Sequence, residues 1–399
     1  MSRLEELIQQ HCPNGVEYKK LGDVCDLVRG TRVVKKDLSA DGTYPVYQNS
    51  LKPLGYYDQY NRAEETTFII CAGAAGDIGY SRVKFWSADD CFSVICPETV
   101  SNRYIFYCLL SQQNRIYSQV RKASIPRLSH NAVEALHIPV PPLPVQEEIV
   151  RILDNFAELQ AELQAELQKR LQQYNYYRDK LLSFNDLNGG GYAVSVEWKK
   201  LGDCIKSLNT GLNPRQFFRL NTDDATNFYI TIREIRNNTI VINDKTDRIN
   251  DEALKLCNNR SNLEKGDVLF SGTGTIGEVA ALEETPTNWN IKEGVCSIKP
   301  KPDIIFYRFL MHLLQSKSIK QAYLKKAAGG TVKSVPMGEM RNLVIPVPPL
   351  SVQKQIVDIL DRFDKLANDI TAGLPAEIEA RRKQYEYYRD QLLTFKQKA

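Results

Sequence analysis

No stretch of about 18 apolar residues occurs in this 399-residue chain, so no membrane-spanning helix is expected. The opening MSRLEELIQQHCPNG lacks the apolar core of a signal peptide and is not read as one. The nine cysteines form no CxxC pair, which suits a reducing cytoplasm better than a disulfide framework. The four histidines, His11, His130, His137 and His312, show no metal-ligand spacing, and solvated or core roles are expected for them. No GxSxG elbow, no HExxH and no [DN]PP[YF] stretch is present, which removes the usual signatures of serine hydrolases, zinc proteases and adenine methyltransferases. The ExK of VEWK lacks the paired acidic residues of a nuclease and reads as charge on a strand edge. No catalytic constellation is therefore expected. Net charge is only +4, so any basic feature must be local.

Repetition fills the place of those missing motifs. IPVPPLPVQEEIVRILDNF (Ile138–Phe156) returns as IPVPPLSVQKQIVDILDRF (Ile345–Phe363), identical at fourteen of nineteen positions. VEYKKLGD at Val16–Asp23 returns as VEWKKLGD at Val196–Asp203, and IFY at 105–107 returns at 305–307. AAGDIG (Ala74–Gly79) aligns with GTGTIG (Gly272–Gly277). The Tyr-rich endings YNYYRDKLLSF and YEYYRDQLLTF complete the pair, and the offset grows from 180 through 198, 200 and 207 to 211. This describes two homologous domains, the second lengthened by insertions. A period near 200 residues is too long for a solenoid. With 43% hydrophobic and 25% charged residues the composition is that of an ordinary globular protein, and the length calls for two or more cores.

Each copy changes character once. Short apolar runs such as TTFIICAG, CFSVIC, NFYITI, NTIVIN and GDVLFSG predict strands between tight turns. A helical piece follows, and then I-P-V-P-P-L, where proline predicts an extended linker. Beyond Pro144 the apolar residues Val145, Ile149, Ile152, Phe156, Leu159 and Leu163 recur at alternating spacings of four and three, a seam that needs a partner. Val352, Ile356, Ile359, Phe363, Leu366 and Ile370 repeat it. The segment 144–184 predicts a rod of about 60 Å. AELQ units continue the first helix, while Gly373 and Pro375 in TAGLPAE predict a kink or break near 371–376 in the second. The expected fold class is α+β: two homologous mixed α/β domains (1–143 and 188–350) separated by two long helices (144–187 and 351–399) that form an antiparallel, pseudo-two-fold coiled coil. In that arrangement Ile149, Phe156, Leu163, Ile356, Phe363 and Ile370 face the other helix. The alternative is that each helix packs on its own domain.

GTGTIG matches GxGxxG in form, but no helix is expected directly after it and its counterpart has different spacing, so a Gly-rich turn is the better reading than a dinucleotide site. GGTVKS lacks the full P-loop spacing. Charge is more informative. Ser111–Val133 and Ile304–Gly338 contain no acidic residue. The first holds Arg115, Arg121, Lys122 and Arg127. The second holds Arg308, Lys317, Lys320, Lys325, Lys326 and Lys333. Tyr117 and Tyr323 lie among these cations. Matched basic runs in both copies point to phosphate contacts at two places on a nucleic acid, against the alternative of solvated helix faces.

Two variable domains, each followed by I-P-x-P-P-L-x-x-Q-x-x-I-V-x-I-L-D and a long helix, resemble the specificity (S) subunit of type I restriction–modification enzymes; LGD and GDVLFSGTGTIGEV also resemble that family's target recognition domains. The resemblance covers both halves of the chain. It implies a non-catalytic subunit whose two domains each read one half of a split, asymmetric site in double-stranded DNA. It implies helices that set the gap and dock two methyltransferase (M) subunits. It places S-adenosylmethionine in those partners, ATP and Mg in restriction (R) subunits, and no cofactor in this chain. TAGLPAE departs from a straight second helix. Expected DNA-facing residues are Arg121, Lys122 and Arg127, with Lys325, Lys326 and Lys333. To these are added Arg29, Arg32, Gln48, Asn49, Thr231 and Arg233, since Gln and Asn suit adenine and Arg suits guanine. The competing readings are an orphan DNA-binding subunit or recombination donor, a nucleotide-dependent enzyme, and a pure coiled-coil scaffold.

Overall fold

The repeat written in the sequence is also a repeat of topology. The computed structural model describes residues 2–39, 41–184, 196–368 and 373–398, which fall into two units: Met1–Leu163 with Ile378–Ala399, and Gln164–Glu377. The unit boundaries cut both helical stretches, so each unit holds one domain, the start of that domain's helix and the end of the other helix.

In the first unit a four-stranded antiparallel sheet runs in the order Asp26–Arg29, Cys91–Ile95, Thr66–Ile70 and Ile78–Ser81. A three-stranded sheet orders Gly55–Tyr57, Tyr44–Tyr47 and Trp86–Ser87, the last pair parallel. TTFII is buried at every position, as a central strand covered on both faces should be. Helix Asn102–Ser111, capped by the Ser101 hydroxyl, packs Tyr104, Ile105 and Leu109 into the same core as Ile69 and Phe92.

The second unit repeats this with Ile205–Thr210, Val295–Pro300, Val268–Ser271 and Val279–Ala281, then with Arg248–Ile249, Asn227–Ile230 and Trp289–Ile291, again with the last pair parallel. Helix Asp251–Ser261 and the ribbon Ile235–Arg236/Thr239–Ile240 are added between these strands, which is where the sequence offset grows.

The I-P-V-P-P-L segment is not a free linker. His137–Pro139 pairs antiparallel with Tyr18–Lys20, and Val344–Val347 pairs with Glu197–Lys200. Proline is tolerated because each ribbon has only two strands and therefore edges without ladder demands. The ExK charges pair along the strand, Lys19 with Glu17 at 2.9 Å and Lys199 with Glu197 at 2.7 Å.

The glutamine that follows the prolines explains the motif. Gln146 is buried, accepts from the Ser101 amide (2.9 Å) and donates to the Pro141 carbonyl (2.7 Å). Gln353 accepts from the Phe306 amide (2.8 Å) and donates to the carbonyls of Pro348 (2.7 Å) and Ile304 (2.9 Å). Backbone groups stranded by the prolines are thereby paired, and each helix start is fixed to its domain. Two turns on, the aspartate of ILD does the same with charge. Asp154 receives Arg103 (2.8 and 2.6 Å) and the Tyr107 hydroxyl, and Asp361 lies 2.7 Å from Arg308 Nε and 2.8 Å from His312 Nε2.

The seam is shared between the two alternatives. Helix Leu143–Leu181 buries Val145, Ile149 and Leu153 in the core of its own domain, and helix Leu350–Asn368 buries Ile356, Val357 and Leu360 likewise. Ile149 and Ile356 are thus domain core first, contrary to the expected purely helix–helix role. The reason is that the glutamine clamp holds the first turns flat against the domain. Farther along, helix meets helix. In the first unit Phe156 stacks on Tyr388 at 5.6 Å, and in the second Tyr177 stacks on Phe363 at 5.3 Å. Partners occur in reverse order along the two stretches, the order of an antiparallel pair. Leu163 is half-buried, whereas Leu159 is 50% exposed, because steps of four residues carry the apolar stripe around the helix. Ile370 and much of the expected break lie outside the described residues. On either side, one helix is described to Asn368 and the next starts at Leu374, with Pro375 in its first turn. Among the described residues no helix is long and apolar enough to cross a membrane.

Candidate nucleic-acid interface

Both basic runs end in the same structure, a short hairpin stapled to a Gly-rich turn. In the first unit Arg121 and Arg127 exchange backbone hydrogen bonds of 2.9 and 3.2 Å and close the loop RKASIPR. The Gly73 amide donates to the Pro126 carbonyl (3.2 Å) and the Leu128 amide to the Cys71 carbonyl (2.9 Å). In the second unit Ala328 and Ser334 close AGGTVKS with bonds of 2.9 and 2.8 Å. There the Gly274 amide donates to Lys333 (2.9 Å) and the Val335 amide to Gly272 (2.9 Å). Four backbone bonds hold each hairpin tip in place.

The turn itself joins two antiparallel strands, Thr66–Ile70 to Ile78–Ser81 and Val268–Ser271 to Val279–Ala281, and no helix follows it. This is a β-turn scaffold and not a dinucleotide loop. Its glycines take left-handed conformations, φ +86° at Gly73 and +79° at Gly274. A Cβ on Gly73 would meet the Asn49 carbonyl oxygen at 2.9 Å. Gly73→Ala is expected to cost about 1–2 kcal/mol from φ strain alone. A lower denaturation midpoint, with faster hydrogen exchange at the Arg127 amide, checks this.

The structural register corrects the sequence alignment. Gly76 donates to Ile70 (2.8 Å) as Gly277 donates to Ser271 (3.0 Å), so Gly277 answers Gly76 at an offset of 201, not 198. The shared Ile-Gly letters drew the alignment three residues out of place.

Around this hub the first unit collects most of the expected residues. The Ala74 amide bonds to the Asn49 carbonyl (3.0 Å), which docks the Gln48–Asn49 loop on the turn. Burial pushes the Cys71 thiol up to about 11, against the opposing pull of the Arg29 charge and, more weakly, of Arg127. Arg29 also donates to the Asp89 carbonyl (2.8 Å), and Arg32 is exposed. Arg121, Lys122, Arg127, Lys325 and Lys333 are exposed, and among the described residues none has a carboxylate within ion-pair distance. Lys326 differs, because Glu339 holds its ammonium at 2.5 Å. Arg233 is likewise tied to Asp247 at 2.7 Å.

One sequence expectation is corrected. Thr231 is only 8% exposed, and its hydroxyl caps the turn Ile232–Glu234 by accepting from the Arg233 amide and donating to Glu234. It is part of the scaffold. Of the two tyrosines that lie among the cations, Tyr117 is exposed and Tyr323 is not. Tyr117 lies against Gly76 and donates to Asp77 (2.8 Å), and Tyr323 is fully buried against Gly277. Burial, followed by the bond to Asp77, pushes the Tyr117 hydroxyl up to about 12, so it stays a donor. Sequence reasoning missed Ile125 and Val332, exposed at the hairpin tips, because isolated aliphatics read as core.

Each of the duplicated domains thus presents a hairpin stapled to a Gly-rich turn, with exposed cations on or beside it. Comparison with known proteins gives the chain its family. Residues 13–173 and 194–380 match the type I restriction modification DNA specificity domain, and the chain belongs to that family, the specificity subunits of type I restriction–modification systems. It is 31% identical to the EcoR124I/EcoR124II specificity subunit of Escherichia coli, over 88% of this chain and 83% of that one. It is also 31% identical to S.HindORF215P of Haemophilus influenzae over 98% of both chains. The fold is shared with the crystal structure of a type I restriction–modification S subunit from M. genitalium, with a TM-score of 0.59 at 17% identity, over 95% of this chain and 96% of that one.

Proposed function

We propose that this chain is the DNA-reading subunit of a type I restriction–modification complex and that each domain reads one half of a bipartite, asymmetric site. The supporting observation is the pair of hairpins: identical backbone bonding in both units, with different residues displayed. One scaffold used twice with unlike surfaces suits two unlike half-sites. The helical stretches set the unread gap and dock two methyltransferase subunits. Those partners carry S-adenosylmethionine, restriction subunits bring ATP and Mg, and this chain supplies recognition without chemistry.

Within this reading the exposed cations hold phosphates, and base edges are met by neighbouring side chains. Lys122→Glu is expected to weaken binding of the assembled methylase to its site by about tenfold and to reduce the slope of log K against log salt by about 1. Titration across a salt series measures both, and an unchanged slope removes Lys122 from the phosphate contacts.

A further inference from the structure

The hairpin tips hold a feature that phosphate binding does not use. Ile125 is 53% exposed and Val332 60% exposed. They occupy the same position in the two hairpins, two residues before the closing Arg127 and Ser334. Ile125 lies among Arg121, Lys122 and Arg127, and Val332 lies beside Lys333. A charged loop gains nothing from a large apolar side chain in water, and here the placement recurs while the neighbouring letters change. The four backbone bonds keep each tip from folding back onto the domain.

We propose that Ile125 and Val332 are base-reading residues, each pressed against the 5-methyl group of a thymine in the major groove of its half-site. The inference rests on the DNA-reading function proposed above. The major groove admits a two-stranded β-ribbon, and thymine is the base that offers an apolar group there. The neighbouring cations then lie over adjacent phosphates. Insertion between base pairs is the other use of an exposed aliphatic, made by longer or ring side chains such as Phe, Leu, Ile, Met or Pro. Val332 is too short for it, and equivalent positions on one scaffold call for one role.

The test uses the chain assembled with its methyltransferase subunits on a duplex carrying the site found by methylome sequencing. Each thymine is replaced in turn by deoxyuridine, which removes only the 5-methyl. At one thymine in each half-site the replacement is expected to weaken wild-type binding about fourfold, the worth of one buried methyl-sized group. Ile125→Ala abolishes that sensitivity in one half-site and Val332→Ala in the other, with the salt slope unchanged. Both side chains are exposed, so unaltered denaturation midpoints show that the variants fold. Tolerance of deoxyuridine at every position, or variants that bind and discriminate like wild type, overturns the assignment. A rise in 2-aminopurine fluorescence beside a tip reveals unstacking and overturns it in favour of insertion. Failure of the wild-type assembly to bind any bipartite site overturns the DNA-reading function itself.

Discussion

Deleting Ala161–Gln164 shortens the unread gap of the recognised site by about two base pairs and leaves both half-sites unchanged. One four-residue unit contributes about 6 Å of helix, and base pairs rise about 3.4 Å each. The deletion falls between Phe156, stacked on Tyr388, and Tyr177, stacked on Phe363, so neither helix–helix contact loses a member. Ala161, Glu162 and Gln164 are exposed and Leu163 is half-buried, which limits the packing lost. Four residues turn a helix by about 40° beyond a full circle, a modest rotation for the remaining stripe. Methylome sequencing of cells carrying the variant reads the gap directly. An unaltered gap shows that the AELQ units do not act as a spacer.

Asp361→Asn is expected to destabilise the second unit by about 3 kcal/mol, near the cost of removing one partner from a largely buried ion pair. Arg308 Nε and His312 Nε2 both converge on this carboxylate, and His312 Nδ1 lies 3.0 Å from the Tyr174 hydroxyl. One tautomer satisfies both nitrogens of His312: Nε2–H donates to Asp361, and Nδ1 accepts from Tyr174. Burial raises the Asp361 pKa, but the bonds from His312 and Arg308 outweigh it and hold the group below its ordinary value. The stabilisation is therefore complete above about pH 4 and is lost as the pH falls through the lowered value. The Asn variant should lack that part of the acid dependence. Denaturant titrations at pH 7 and at successively lower pH test both statements, and equal midpoints at pH 7 would contradict the first.

Much of this fold is legible in the letters because repetition is a strong signal. The buried strand TTFII and the helices before the proline motif lie where apolar runs place them, whereas the hairpins that close the basic runs are not announced by charge. What was not legible depends on contacts distant in sequence. VEYKK does not announce that it pairs with His137–Pro139, so the proline motif reads as a linker and not a ribbon. Ile149 fits a helix seam by spacing, yet Gln146 directs it into the domain, and spacing cannot reveal a side chain that clamps carbonyls. Thr231 looks like a polar DNA contact until its cap on Glu234 appears. Ile125 and Val332 fail in the opposite direction, since exposure is a property of the folded hairpin.

Methylome sequencing of cells with and without this gene, in the presence of its methyltransferase partner, tests the central claim most directly. A single split motif with two unlike halves, modified only when the gene is present, is the expected result. Identical modification in both strains, or an undivided motif, would contradict the reading of this chain as a two-headed specificity subunit.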